Sequence, residues 1–237
     1  MIGIVVVSHS PALADAVVAL ALEMVAGSPP PIAVAAGAGD GVTGTDAIAV
    51  AAALDEVASP DGVLVFMDLG SAVLSASMAL EFTATDAEVR LSDAPFVEGV
   101  VAGIVLAAAG ATLADAAREA SSAMTAKNAQ LESSAPEEAE ASAGSERGID
   151  VTLVNPLGLH ARPASMIVAA MGGLDAAVSV TDTAAPDRTV SASSLMGLMS
   201  LGAAGGHTIR LEATGADASK AVEVISAMAA DGFGEMA

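Results

Sequence analysis

Residues 2–27 read IGIVVVSHSPALADAVVALALEMVAG and contain the complete signal of a strand, a turn and a helix. The nearly continuous apolar run Ile2–Val7 is typical of a parallel strand that is covered on both faces. Ser10 and Pro11 then suit the N-cap and the first position of a helix, which the pattern predicts over Pro11–Ala26. The stretch therefore predicts the first strand–helix unit of an α/β fold.

The same alternation continues over the first ~125 residues of the chain. The further predicted strands are Pro31–Ala36, Val63–Met67 and Ala87–Leu91, and the further predicted helices are Thr45–Ala58, Ser71–Phe82, Phe96–Ala109 and Thr112–Ala126. We therefore expect residues 1–125 to form one domain with an open, mainly parallel sheet and helices on both faces.

The composition changes after this domain, because Thr125–Gly148 is rich in Glu, Ser and Ala and has no large apolar periodicity. We interpret residues 126–148 as an acidic, flexible linker. Beyond it, residues 149–237 mix strands and helices, which predicts a second domain that is an α+β open-faced sandwich. Its predicted strands are Ile149–Val154, Ala177–Thr181, Arg188–Ser191 and Thr208–Ala213, and its predicted helices are Ala161–Met171, Ser194–Leu201 and Ala216–Ala230.

The charge and the composition exclude several classes of function. Lys and Arg total 8 against 29 acidic residues, a net charge of −21, which repels nucleic-acid backbones and anionic lipid. Trp, Tyr and Cys are absent, so base-stacking platforms, thiolate catalysis and cysteine metal sites are not expected. The N-terminus shows no secretory signal, and Gly99–Ala114 reads as a buried helix that is too short for a membrane span. A cytoplasmic location fits this composition.

His9 and Asp68 follow two predicted strands, and ligand sites of open α/β sheets collect at the carboxyl ends of strands. If the two strands are neighbours, Asp68 accepts the Nδ1–H of His9 and leaves Nε2 nucleophilic. The N–H groups of Gly70 and Ser71, at the start of the next helix, suit phosphoryl oxygens. The simpler alternatives are a histidine that caps a strand end and an aspartate that caps a helix.

A second histidine lies in the segment NPLGLHARPAS, residues 155–165. His160 stands at a predicted helix start, where free N–H groups such as that of Ala161 favour an anion. Arg162 adds a guanidinium that can bind phosphate through two hydrogen bonds. The alternative is a histidine that stands at a helix start by chance.

Two further features have other interpretations. The spacing of Gly39, Gly41 and Gly44 gives GxGxxG between a strand and a helix, with Asp68 further along, which is a weak dinucleotide-binding pattern. His207, in GGHTIR, has no neighbours in sequence that indicate chemistry, and we interpret it as a surface histidine.

The second domain resembles HPr, the histidine-containing phosphocarrier family of the phosphoenolpyruvate-dependent phosphotransferase system, through GLHARPAS and SSLMGLMSLGAAGG. The resemblance implies that His160 is the phosphorylated histidine and that Arg162 binds the phosphate. It also places Ser194 where some HPr proteins carry a regulatory serine, although the chemistry alone favours a simpler role, as the cap of the helix that starts there.

The first domain resembles the DhaM family, the phosphotransferase subunits of phosphoenolpyruvate-dependent dihydroxyacetone kinase, which are related to mannose-type IIA domains. The similar segments are VVVSHSPALADAV, AVAAGAGDGVTGTDAI, VLVFMDLGSAVLSASMALEF and APFVEGVVAG. Ser10 after His9, and DLGSA after the third strand, favour this branch over a sugar-transporter component. The resemblance implies a cytoplasmic transferase and a homodimer formed through the IIA domain.

Together the two resemblances imply a relay. Enzyme I phosphorylates His160, His160 passes the phosphoryl group to His9, and His9 donates it to ADP on a DhaL-like subunit that works with a DhaK-like substrate subunit. The chain itself then needs no metal, and no bound cofactor apart from its phosphohistidines. Some members carry a region like enzyme I, and this chain is expected to depend on a separate one. A IIA–HPr fusion for sugar uptake and a regulatory phosphocarrier remain as alternatives.

Overall fold

The computed structural model describes residues 1–25, 27–39, 42–132 and 148–235. The chain divides into two compact units, Met1–Met124 and Thr125–Ala237.

The first unit alternates strands with helices along the chain. Its elements are β1 (Gly3–Ser8), α1 (Pro11–Leu22), β2 (Ile32–Ala36), α2 (Ala47–Glu56), β3 (Val63–Met67), α3 (Gly70–Ala79), β4 (Val89–Leu91), α4 (Phe96–Ala108) and the start of α5 (Leu113–Glu132). The strands form one parallel sheet in the order β2-β1-β3-β4. The predicted α/β fold is therefore confirmed.

Helices cover both faces of this sheet. On one face, Val5 of β1 and Val65 of β3 belong to an apolar cluster with residues of α2 and α3. On the other face, α4 packs closely against Phe66 of β3. A Cβ atom at Gly103 of α4 would lie only 2.4 Å from the ring of Phe66. All six residues of β1 are buried between these layers, which explains the continuous apolar run in the sequence.

The largest differences between the predicted and the observed helix ends are at α1 and α5. Helix α1 ends at Leu22 rather than Ala26, because the N–H of Met24 bonds to the carbonyl of Ala21 in a tight turn. Helix α5 continues to Glu132, so residues 126–132 of the predicted linker are helical. Residues 133–147, the rest of that segment, lie outside the described residues.

The second unit is an antiparallel sheet with helices. Its elements are β5 (Ile149–Thr152), α6 (Ala161–Met171), β6 (Ala177–Asp182), β7 (Thr189–Ser191), α7 (Leu195–Ser200), β8 (Thr208–Thr214), α8 (Ala218–Ala230) and a 3₁₀ turn at Gly232–Gly234. The strand order is β5-β8-β6-β7. The predicted α+β fold is confirmed.

One face of this sheet carries the core. Val178 and Val180 of β6 are buried, as are Ile209 and Leu211 of β8, while the residues between them are more exposed. Helix α8 packs against β5, β6 and β8. Three strands reach the same end of the sheet: β5 and β6 end there, and β8 begins there, since Thr152 pairs with Thr208 in the ladder. The loop that leads to α6 leaves the sheet at this end.

Candidate functional site

The candidate site of the first unit lies at the carboxyl edge of its sheet. Strands β1 and β3 are parallel neighbours, with Val7 opposite Met67, so the residues that follow them emerge side by side. The N–H of Asp68 donates to the carbonyl of Val7 at 3.2 Å. This register brings His9 next to Asp68, as the sequence predicts for neighbouring strands.

Asp68 holds His9 and its neighbours through both carboxylate oxygens. Oδ1 lies 2.8 Å from Nδ1 of His9 and accepts from the N–H of Leu69 at 2.6 Å. Oδ2 accepts from the N–H of His9 at 2.8 Å and from the hydroxyl of Ser8 at 2.9 Å. Because an ionised carboxylate only accepts hydrogen bonds, the imidazole proton belongs on Nδ1.

The surroundings of Asp68 keep it ionised. Burial alone would raise the pKa of this carboxyl group, but four hydrogen bonds from His9, Ser8 and Leu69 oppose burial and hold the pKa below its usual value. The histidine therefore faces a fixed negative charge on its Nδ1 side.

The other ring nitrogen of His9 points to the start of α3. Nε2 is in short contact with the hydroxyl of Ser71, and the His9 side chain is 19% exposed. Leu69 gives α3 no side-chain cap, and the N–H groups of Gly70 and Ser71 have no partner among the described residues. A helix N-terminus with free N–H groups stabilises an anion. The structure thus brings together the four residues that the sequence predicts here.

The glycine-rich loop supports this site. The N–H of Gly37 donates to the carbonyl of Ser8 at 3.0 Å, and the N–H of Gly44 donates to the carbonyl of His9 at 3.3 Å. The next residue, Thr45, places its hydroxyl 3.3 Å from the carbonyl of Ser71 and 2.8 Å from the hydroxyl of Ser75. The loop therefore fixes both His9 and the first turn of α3.

Gly41 of the glycine pattern lies outside the described residues, and the described neighbours of the loop argue against the dinucleotide interpretation. The helix that follows the loop is already capped by a carboxylate, because Asp46 accepts from the N–H of Ile48 at 2.8 Å. A pyrophosphate would meet that negative charge, whereas dinucleotide sites need free N–H groups there. Asp68 is occupied by His9 and its neighbours, so it is not available for a ribose.

In the second unit, His160 is the N-cap of α6 and has an extended backbone. The loop before it packs against the segment before β8, and the N–H of Leu159 donates to the carbonyl of Ala203 at 2.8 Å. Gly158 has φ +65°, and a Cβ atom there would lie 2.1 Å from the carbonyl oxygen of Ala203. Only glycine fits this turn, which explains the Gly two residues before the histidine.

The imidazole of His160 contacts the carboxylate of Glu235. Nε2 lies 2.8 Å from Oε1, although the two groups do not meet the geometry of a regular hydrogen bond. Nε2 itself is buried, although the whole side chain is 34% exposed. Nδ1 is consequently the nitrogen available for reaction.

The start of α6 offers a second anion site. Helix α6 has no side-chain cap, and Ala161 and Arg162 form its first turn with their N–H groups unpaired among the described residues. The guanidinium of Arg162 is exposed and has no partner in the described part of the chain. A group on Nδ1 would therefore meet backbone donors and an exposed cation.

Ser194 caps α7, since its hydroxyl accepts from the N–H of Gly197 at 2.9 Å. This is the simpler role that the sequence allows. Its position as a modified serine stays a prediction.

His207 has a partner that the sequence does not indicate. Its Nδ1 lies 2.8 Å from Oδ2 of Asp182, a carboxylate whose side chain is only 3% exposed, while the imidazole is 38% exposed. It is thus a partly exposed histidine with a buried carboxylate as its partner. Asp182 and Glu235 were not found from the sequence, because each meets its histidine only through the fold.

Among the described residues, no three His, Asp or Glu side chains are grouped as metal ligands. No described helix combines the length and the apolar character that crossing a membrane requires.

Two family models match the chain. Residues 3–132 match EIIA-man, "PTS system fructose IIA component", and residues 148–231 match PTS-HPr, "PTS HPr component phosphorylation site". The first match covers the unit of His9, and the second covers that of His160.

Curated relatives match over the whole chain or over one unit. The chain is 40% identical over 245 residues to the "PEP-dependent dihydroxyacetone kinase, phosphoryl donor subunit DhaM" of Klebsiella michiganensis, covering 99% of this chain and 51% of the relative. A "PEP-dependent dihydroxyacetone kinase 2, phosphoryl donor subunit DhaM" of Listeria innocua is 36% identical over 107 residues, 44% of this chain and 85% of the relative. "Phosphocarrier protein HPr" of Cupriavidus necator is 38% identical over 86 residues, 36% of this chain and 93% of the relative. The chain spans about half the length of the first of these.

Proposed function

We propose, from the premise that this chain belongs to the PTS IIA component family over residues 3–132 and to the HPr family over residues 148–231, that it is a phosphoryl-relay subunit of a phosphoenolpyruvate-dependent dihydroxyacetone kinase. In this function His160 receives a phosphoryl group from enzyme I and His9 receives it from His160. His9 then gives it to ADP on a DhaL-like subunit, and the ATP formed phosphorylates dihydroxyacetone on a DhaK-like subunit.

One observation carries the proposal: a carboxylate stands at one ring nitrogen of each histidine and leaves the other nitrogen for reaction. Asp68 occupies Nδ1 of His9, and Glu235 occupies Nε2 of His160. Each free nitrogen lies at the uncapped start of a helix. Both units therefore combine an imidazole nitrogen that is left for reaction with N–H donors for an anion.

The transfer to His9 needs no proton movement. The Nε2 lone pair of neutral His9 attacks phosphorus, the bond between phosphorus and Nδ1 of His160 breaks, and that electron pair returns to His160. The product ring at His9 carries phosphorus on Nε2 and hydrogen on Nδ1, so it is positively charged. Asp68 stabilises this charge, while the N–H groups of Gly70 and Ser71 bind the phosphoryl oxygens.

The hydroxyl of Ser71 has to leave Nε2 when phosphorus arrives, and it then donates to a phosphoryl oxygen. Transfer to ADP reverses the step, because the bond between Nε2 and phosphorus breaks and ADP oxygen bonds to phosphorus. The ring of His9 leaves as neutral imidazole, with its proton still held toward Asp68.

The proposed partners are enzyme I, the two kinase subunits and a second copy of the first unit in a homodimer, all in the cytoplasm. The enzyme class proposed for the complex is phosphoenolpyruvate-glycerone phosphotransferase. In the same framework Ser194 is proposed as a modified residue, whose phosphate would displace the cap on α7.

Reconstitution tests this function. The full chain is mixed with enzyme I, labelled phosphoenolpyruvate, ADP, dihydroxyacetone and the two kinase subunits, and dihydroxyacetone phosphate is measured. We expect product with the wild type, label on His160 alone in His9→Ala, and no label in His160→Ala unless free HPr is added. Label on both histidines without dihydroxyacetone phosphate would refute the kinase and favour a sugar-transport or regulatory role. Label on His9 of His160→Ala without HPr would refute the order of the relay.

A further inference from the structure

A buried serine stands behind the pair of His9 and Asp68. Ser8 is the last residue of β1 and is fully buried, and its hydroxyl oxygen lies 2.9 Å from Oδ2 of Asp68. The ring of His9 contacts the other carboxylate oxygen, Oδ1. The hydroxyl of Ser8 therefore reaches the imidazole through Asp68.

The hydroxyl of Ser8 carries one proton and has two acceptors within reach. Besides Asp68, the carbonyl of Ser10 lies 3.1 Å from Oγ, and the N–H of Ser10 donates to Oγ at 3.1 Å. That carbonyl already accepts from the N–H of Ala14 in the first turn of α1. Because a hydrogen bond to an ionised carboxylate is stronger than one to a carbonyl, the proton belongs on the side of Asp68. Ser8 thus donates to Oδ2, and the backbone of Ser10 holds its oxygen in place.

This donor matters when His9 carries phosphorus. With phosphorus on Nε2 and hydrogen on Nδ1 the ring is positively charged, so its Nδ1–H is more acidic than that of neutral imidazole, and Oδ1 of Asp68 lies 2.8 Å away as an acceptor. If the proton moves to Oδ1, the ring has to leave phosphorus as imidazolate, which is a much poorer leaving group than neutral imidazole. A hydrogen bond that favours the ionised carboxylate opposes this proton movement.

We propose that Ser8 is a positioning residue that keeps the proton on Nδ1 of phosphorylated His9 by donating to Oδ2 of Asp68. This inference rests on the proposed phosphorylation of His9. When phosphate leaves, the bond between Nε2 and phosphorus breaks, its electron pair returns to Nε2, an oxygen of ADP bonds to phosphorus, and the proton stays on Nδ1. The ring leaves as neutral imidazole, and Asp68 is ionised before and after the step.

Three variants of the full chain separate this role from packing. Ser8→Ala removes the donor and changes the shape little, whereas Ser8→Thr keeps a hydroxyl on the same carbon. Ser92→Ala is the matched control, because Ser92 is a buried serine that directly follows β4 of the same sheet. Its hydroxyl accepts from the N–H of Ala94, so this variant also loses a hydrogen bond to the backbone.

The experiment times the arrival and the departure of phosphate at His9. His9 is labelled from phosphoenolpyruvate through enzyme I, both are removed, and the loss of label is followed with and without the ADP-loaded kinase subunit. In Ser8→Ala we expect label to arrive at least as fast as in the wild type, because a more basic Asp68 makes Nε2 a better nucleophile. Label should leave about tenfold more slowly, since one hydrogen bond to a charged group is lost.

The position of the proton is measured directly by ¹⁵N NMR of the phosphorylated protein. We expect less hydrogen on Nδ1 of His9 in Ser8→Ala than in the wild type. Ser8→Thr should recover part of each change, and Ser92→Ala should match the wild type in both rates and in the NMR spectrum of His9.

The outcomes separate this role from a structural one, since a disturbed site would slow both the arrival and the departure of label. The role of Ser8 is refuted if departure is unchanged in Ser8→Ala, or if both rates fall while Nδ1 keeps its hydrogen. If wild-type His9 takes no label through enzyme I, the proposed function fails. Phosphoramidate, which phosphorylates imidazole directly, then loads His9 for the same NMR comparison, so that the role of Ser8 is still tested.

Discussion

Asp68 contacts His9 at two points. Its Oδ1 lies 2.8 Å from Nδ1 of the His9 ring, and its Oδ2 accepts a hydrogen bond from the backbone N–H of His9 at 2.8 Å. The backbone contact fixes the position of the His9 main chain, and the ring contact fixes the orientation of its imidazole. One carboxylate thus controls both the position and the tautomer of the imidazole.

We expect Asp68→Asn to remove this control. The amide has no negative charge for the positively charged phosphohistidine, and its NH₂ group opposes one of the N–H donors that Asp68 accepts. Phosphoryl transfer to His9 should fall by ~10²- to 10⁴-fold, in the range seen when the carboxylate partner of a catalytic histidine is lost. Rapid-quench labelling measures the rate. Label on His160 should be unaffected, and a normal rate of transfer to His9 would contradict the role of Asp68.

The same carboxylate makes stability depend on acid. The hydrogen bonds of Asp68 lower its pKa in the folded protein although burial opposes them, so the folded chain takes up this proton less readily than the unfolded chain. The stabilisation is complete above the ordinary pKa of about 3.9 and is lost as the pH falls through the lower folded-state value. In urea unfolding, the difference in free energy between wild type and Asp68→Asn should be constant at neutral pH and shrink below about pH 4. A difference that does not change over this range would contradict the shift.

Thr45 connects the glycine-rich loop to the anion site. Its hydroxyl contacts the carbonyl of Ser71 and the hydroxyl of Ser75. In Thr45→Ala we expect the first turn of α3 to be less well fixed and the transfer to His9 to slow by about tenfold. Thr45→Ser should restore most of the rate, and Thr43→Ala, an exposed threonine of the same loop, is the matched control. Equal rates in Thr45→Ala and Thr43→Ala would show that the contact has no role.

The sequence predicts the pairing of His9 with Asp68 because Asp68 directly follows one apolar run and His9 follows another with only Ser8 between, and parallel neighbouring strands bring such positions together. Helix starts at Pro11 and Ala161 are likewise local, since proline, glycine and capping residues mark them. The contacts of Glu235 and Asp182 are different. They join residues far apart in the chain through a C-terminal turn and a strand end, and no local pattern specifies them.

Arg162 is the exposed cation beside His160. We expect Arg162→Ala to slow phosphorylation of His160 by about tenfold, because one flexible, solvent-exposed charge contributes roughly 1–2 kcal/mol to anion binding. The rate in Arg162→Lys should lie between those of the wild type and Arg162→Ala, since an ammonium keeps the charge but cannot form the paired hydrogen bonds of a guanidinium. Lys220→Ala, which removes an exposed positive charge on α8, serves as the control. If His160 is labelled equally fast in Arg162→Ala and in Lys220→Ala, the guanidinium does not bind the phosphoryl group.

His207 and Asp182 form a structural pair outside the proposed relay. Asp182 is buried and has, besides His207, a hydrogen bond from the N–H of Ala184 at 2.9 Å. His207→Ala leaves this carboxylate with one partner fewer, which should cost ~1–3 kcal/mol of the free energy of unfolding of the second unit.

A double-mutant cycle with Asp182→Ala separates the pair from other effects of each substitution. We expect a coupling of about 1 kcal/mol or more, because the two side chains contact each other directly. Labelling of His160 and His9 should stay at the wild-type rate in His207→Ala wherever the protein is folded. Loss of labelling in a folded, stable His207→Ala protein would instead place this histidine in the path of the phosphoryl group.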